Sequence, residues 1–184
     1  LGYTLSVREV PTGAAPGALI VVAGRWREDD RVQPNIHHVT NEVYQLFVRQ
    51  GHPAEQIYYL ATEQLDPDED EVSEVDQYAT SSNLQAAITQ WAVPYVGPNR
   101  ALTLFMMDHG SYDNLYLDET RRERVSPDEV DGWLSELEAK TGAKVNVLIE
   151  ACQAGSFIDP QKSLSKEGRV VIAATDAFAP SYAS

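Results

Sequence analysis

The feature that most constrains this chain is a pair of short apolar runs, Ala18-Leu-Ile-Val-Val-Ala23 and, interrupted only by Thr103, Ala101-Leu-Thr-Leu-Phe-Met-Met107. Each is strand-sized and lacks the polar alternation of a strand with one wet face. A strand apolar on both faces must be covered on both, the situation of a parallel sheet sandwiched between helices. Neither run approaches the roughly eighteen residues that span a bilayer. Residues 56–61, 144–151 and 168–174 read as further strands. Between them, residues 38–50 place Val39, Val43, Leu46 and Phe47 at helical spacing, with Gly51 as the stop. Ser81 or Ser82 can cap a second helix to about Val93, with Leu84, Ala87, Ile88 and Trp91 on one face. Ser126-Pro-Asp-Glu129 is a capping box opening a third, with Val130, Trp133, Leu134 and Leu137 inward. Residues 115–117 and 124–125 suit a short hairpin around the charged turn 118–123. Strands alternating with helices predict an α/β fold with a mostly parallel central sheet and helices on both faces. The pattern gives one domain from residue 18, preceded by a Pro- and Gly-rich arm over 1–17.

The formal net charge of −14 repels phosphate backbones and argues against a nucleic-acid partner. No segment reads as a membrane span. A single cysteine rules out an internal disulfide framework and any multi-cysteine metal site. Composition leaves the compartment open, and the chain opens on Leu1, as a processed product would.

Open α/β sheets gather their chemistry just beyond the carboxyl ends of the strands. Two predicted strands end in reactive residues: His109 after the strand 101–107, and Cys152 after 144–151. Parallel strands joined by one helical crossover are often neighbours, which would bring these side chains together. A free thiol is only a few per cent thiolate at neutral pH, and a nearby imidazole that accepts its proton makes it a competent nucleophile. Backbone amides at Gly110 and Cys152 are natural oxyanion donors, and Gly110 and Gly155 would let the backbone pass close to a bound peptide. Against this stands the ordinary fate of a lone cysteine, a small buried hydrophobe.

The local sequence separates these alternatives. Asp108-His-Gly-Ser111 after one strand, and Glu150-Ala-Cys-Gln-Ala-Gly-Ser156 after another, resemble the two motifs of the legumain-type cysteine peptidases. That family belongs to the caspase-like clan with separase, gingipain and clostripain. The resemblance extends to Val21-Val-Ala-Gly24, to Tyr44-Gln45 and Arg49-Gln-Gly51, and to Ile172-Ala-Ala-Thr175 followed by Ser181-Tyr-Ala183. It implies a caspase-like three-layer sandwich and an endopeptidase working through an acyl-enzyme without a required cofactor. His109 would be base and then acid, Cys152 the nucleophile, and Gly110 part of the oxyanion hole. Asn35 is the nearest match to the asparagine that orients the histidine, and Asp108 sits where the family has an aspartate beside it. Glu150 would line the primary specificity pocket, and Ser111 would touch substrate. The arginine that partners this glutamate in asparagine-specific members has no match here, where Asn35 or Ile36 stands with Arg31 nearby; an unpartnered carboxylate suits a basic side chain instead. Ligase or transpeptidase activity on the same acyl-enzyme, and a catalytically silent binding module, are the alternatives. The resemblance also implies a secreted or extracytoplasmic setting. It further implies a domain lacking its C-terminal part, completed by a second polypeptide cut from the same precursor.

The acidic stretch spaces Asp66, Asp68 and Asp70 as calcium loops do, with Glu71, Glu74 and Asp76 beyond. The EF-hand glycine and twelfth-position glutamate are absent, so a solvated acidic loop competes with a calcium site at Asp66, Asp68, Asp70 and Asp76. His37 and His38, being adjacent, point apart and read as a solvated helix start.

Overall fold

Every residue of the first strand, β1 (Ala18–Ala23), is buried, and alternate side chains go to opposite faces of the sheet. Leu19, Val21 and Ala23 join a core with Ile36 and Tyr44; Ala18, Ile20 and Val22 join another with Leu84, Ile88 and Leu134. The computed structural model describes residues 16–159 and 164–181. Most of the expected arm, and Tyr182 and Ala183, therefore lie outside the described residues.

After β1 come α1 (Gln33–Arg49), β2 (Ile57–Ala61), β3 (Val75–Tyr78) and α2 (Ser81–Ala86), which continues as a π-helical segment, Ala87–Trp91. β4 (Leu102–Met107) leads into a small antiparallel sheet of β5 (Gly110–Ser111), β6 (Asn114–Asp118) and β7 (Glu123–Val125). α3 (Pro127–Thr141), β8 (Val145–Glu150) and β9 (Arg169–Ala173) complete the order. The main sheet has the order β3-β2-β1-β4-β8-β9, and its pairings are parallel. α1 covers one face and α2 with α3 the other, giving the three-layer α/β sandwich expected.

Several local expectations change. α1 starts at Gln33, before residue 38, with Pro34 in its first turn; Val32 caps it without a side-chain hydrogen bond, so no capping signature marks the start. Its buried stripe is Ile36, Thr40 and Tyr44, and Leu46 faces water at 45% exposure. Thr80 caps α2, rather than Ser81 or Ser82, its hydroxyl accepting the Asn83 amide at 3.1 Å. The capping box of α3 forms as read, with Ser126 and Glu129 each accepting the other's amide. β3 emerges from the acidic stretch unannounced. At the opposite edge, β9 turns Val171 and Ala173 toward the core but leaves Val170 and Ile172 each 56% exposed.

Candidate active site

β4 and β8 are hydrogen-bonded neighbours in register, with Met107 opposite Glu150. The segments carrying His109 and Cys152 therefore leave the sheet side by side at the same level. Gly110 makes this approach possible: a Cβ there would lie 2.7 Å from the Cys152 carbonyl oxygen and 3.0 Å from that of Asn114. Gly155 serves a different packing need from the one expected. A Cβ on it would meet the Asp176–Ala177 backbone at 2.5 Å, so it admits the chain's own segment, not a substrate.

His109 is held on two sides by the loop between β1 and α1. Its Nε2 lies 2.7 Å from Asp30 Oδ2, and the Trp26 ring stands 5.0 Å from the imidazole. Asp30 is itself fixed, its Oδ1 accepting the Val32 amide at 3.1 Å, and its side chain is 3% exposed. With Nε2 engaged, Nδ1 is the nitrogen left for a reacting group. The partner expected at Asn35 is thus Asp30, and Asn35 lines the same cavity as the imidazole. Asp30 is one of three consecutive acidic residues, and nothing in the sequence distinguishes it from Glu28 or Asp29.

Cys152 is a partly exposed free thiol at the exit of β8. Gln153 follows in the left-handed region, φ 57°, so the chain turns sharply just past the sulfur. Thr175, just past β9, braces this turn by accepting the Ala154 amide and donating to the Ala151 carbonyl, both at 3.2 Å. The Ser181 amide donates to Cys152 Sγ at 3.3 Å, and its hydroxyl donates to Glu150 Oε1 at 2.9 Å. Cys152, His109, Glu150, Asn35 and Ser181 share one cavity of about 350 Å³, with Phe105 and Met107 in its wall. Among the described residues no lysine or arginine lines it, and Arg31 is exposed. Ser111 is not among the lining residues: it pairs with Asn114 in the hairpin.

Asp108 is buried, and neither carboxylate oxygen has a well-formed hydrogen bond. Burial pushes its pKa up to about 8, opposed by the His109 amide and reinforced by the Asp30 and Asp118 charges.

In the acidic stretch, Asp66, Asp68, Asp70 and Glu74 bring carboxylate oxygens within 4.8 Å of one another. Asp76 is not part of this group: its Oδ2 accepts the Tyr59 amide at 2.8 Å, tying the entry of β3 to β2. Glu74 takes the fourth place, with Oε2 buried and unpartnered. Burial, then the neighbouring aspartates, raise its pKa to about 7. His37 lies inside α1, half-buried, with Nε2 2.8 Å from Gln33 and 3.3 Å from Glu63, and so is not a solvated helix start.

A thiol and an imidazole delivered to one cavity by adjacent parallel strands, in a sheet of this order, define a caspase-like fold of the cysteine-peptidase kind. Caspase-1 from Spodoptera frugiperda has a similar crystal structure, with a TM-score of 0.59 over 100% of this chain and 70% of the caspase; at 12% identity the likeness is one of fold. The profile of the peptidase C13 family, the legumain family, matches residues 20–184, and the chain belongs to that family. A search of curated protein sequences finds no match.

Proposed function

We propose that the chain is a cysteine endopeptidase with His109 and Cys152 as its dyad. His109 Nδ1 takes the thiol proton, and the thiolate attacks the scissile carbonyl carbon. The oxyanion forms against the backbone amides of Gly110 and Cys152. Its collapse breaks the C–N bond while the imidazolium gives its proton to the leaving amine. Water, deprotonated by the same ring, then cleaves the thioester and returns the thiol. The observation that carries this reading is the 2.7 Å contact between Asp30 and His109 Nε2, which leaves Nδ1 for a thiol lining the same cavity. Cys152→Ala and His109→Ala should each abolish peptide cleavage with unchanged melting curves. A peptidyl acyloxymethyl ketone should label Cys152 stoichiometrically and only when His109 is present. Full cleavage by either variant sinks the mechanism; a protein that is never labelled is a binding module.

Glu150 is proposed as the base of the primary pocket, with the Ser181 hydroxyl beside it. A carboxylate with no arginine partner attracts a cationic side chain. Peptides with arginine or lysine before the scissile bond should be cut at least as fast as those with asparagine. A positional library favouring asparagine or aspartate would overturn this.

Two further features belong to the proposal. Peptide or protein substrates aside, a second chain is expected against the exposed β9 edge. The loop of Asp66, Asp68, Asp70 and Glu74 suits calcium by its all-oxygen donor set, and the orphaned Glu74 oxygen is a donor awaiting a cation. Calcium competes with the proton on Glu74, so millimolar calcium should raise the melting temperature more at pH 8 than at pH 6. Melting curves insensitive to chelator at both pH values would return the segment to a solvated loop.

A further inference from the structure

Two exposed aromatic rings lie on segments hydrogen-bonded to the loops around the dyad, and the chemistry above does not use them. Tyr112 lies three residues beyond His109, and Phe178 three residues before Ser181. Their rings stack, with centroids 5.6 Å apart and planes 20° from parallel. Phe178 is 77% exposed and Tyr112 41%. Both rings are held by the catalytic loops. The Ala179 carbonyl accepts the Gln153 amide at 2.8 Å, one residue past the nucleophile, and the Ser181 amide reaches Cys152 Sγ. On the other side, the Tyr112 hydroxyl donates to Asp159 at 3.3 Å and the Asp113 amide to Ser156 at 3.0 Å. Three extended residues cover at most about 11 Å. Phe178 therefore lies no more than about 11 Å from Ser181, whose amide reaches the sulfur, a span that a few residues of a bound peptide cover.

Charge indicates which side chain would lie there. Asp176 is exposed beside the pair, its Oδ1 accepting the Phe178 amide at 2.7 Å. The whole chain carries a formal charge of −14. Cations are drawn to aromatic faces, and a planar guanidinium both stacks on a ring and pairs with a carboxylate. Among the described residues, the chain's own arginines stack on Trp26, Tyr78 and Tyr116, not on this pair.

We propose that Tyr112, Phe178 and Asp176 form a secondary subsite for an arginine side chain of the substrate, one to three residues from the scissile bond and separate from the Glu150 pocket. The assignment rests on the peptidase reading. Its test is a set of peptides with the residue before the scissile bond held constant and arginine, phenylalanine or alanine placed in turn at each nearby position. At one position arginine should raise kcat/KM about three- to tenfold over alanine, chiefly through KM. In Phe178→Ala that ratio should fall to about one, and in Phe178→Trp it should persist; Asp176→Asn should lower it. Equal arginine and alanine values throughout, a preference for phenylalanine, or a ratio that survives Phe178→Ala overturns the subsite. Binding of the same peptides to Cys152→Ala, followed by fluorescence anisotropy, separates the two proposals. An arginine preference there, without cleavage by the native protein, keeps the subsite and removes the peptidase.

Discussion

Two aspartates lie next to His109 and have opposite surroundings. Asp30 has a partner for each oxygen, the His109 imidazole and the Val32 amide. On the proposed peptidase reading it is a positioning residue, fixing the ring through Nε2. Asp30→Ala should lower kcat by roughly ten- to a thousandfold, within the range of general acid–base contributions, with little change in KM. Asp30→Asn, which can still meet Nε2, should recover part of that loss; equal losses in both would make the contact merely structural. Asp108 is buried without good partners, and its pKa of about 8 makes folding pH-dependent. Below about pH 4 the carboxyl is neutral whether folded or not. Between about 4 and 8 the unfolded chain releases the proton that the folded chain keeps, so stability falls as pH rises, by up to about 1.4 kcal/mol per pH unit. Asp108→Asn removes that slope. Its melting temperature should gain on the native protein from pH 4 to 8 and then run parallel; a gap constant across the whole range would show that Asp108 does not titrate this way.

The edge strand β9 is anchored to α3 by Arg169, whose side chain is fully buried. Its guanidinium meets Glu138 through Nε and Nη2 at 2.6 and 2.7 Å, Asp131 at 2.7 Å and the Leu164 carbonyl at 3.2 Å. Removing one partner of a buried, hydrogen-bonded ion pair costs about 3–5 kcal/mol. Arg169→Met should lose that much in urea unfolding, and since β9 leads into Thr175 and Ser181, cleavage should fall with it. A loss under about 1 kcal/mol would mean that β9 is held by its ladder alone. The elements legible in the sequence were those whose signal is local: the apolar runs of β1 and β4, and the capping box of α3. β3 was hidden because an edge strand reading Val-Asp-Gln-Tyr, with its middle residues exposed, carries no apolar period. The start of α1 was hidden because Val32 gives no side-chain cap. At the site, the motifs marked His109 and Cys152, but Asp30 is defined by a contact across 79 positions, which no spacing rule reaches.

Across the whole molecule, the two edges of the sheet differ in kind. β3 ends one side with Asp76 and Gln77 exposed, the polar edge by which sheets discourage further pairing. β9 ends the other, its outer ladder unpaired among the described residues and Val170 and Ile172 each 56% exposed, next to the half-buried Leu148 of β8. On this face α1 packs over β1 and β2, with Leu148 at the margin of that cluster and Val170 and Ile172 exposed beyond it. An apolar edge joined to an apolar face is a surface that stable proteins cover. The proposed second polypeptide fits that need, adding a strand beside β9 and apolar side chains over Val170 and Ile172. It would also lie close to Ser181, and so could shape the primary pocket. Native mass spectrometry and sedimentation of the active protein should therefore find a species heavier than the 20.4 kDa of this chain. Replacing Val170 and Ile172 by lysine should weaken that assembly and lower activity in parallel, with the dyad still labelled by a small alkylating reagent. A monodisperse 20.4 kDa species with full activity, unchanged by the double replacement, would show that the edge is tolerated bare.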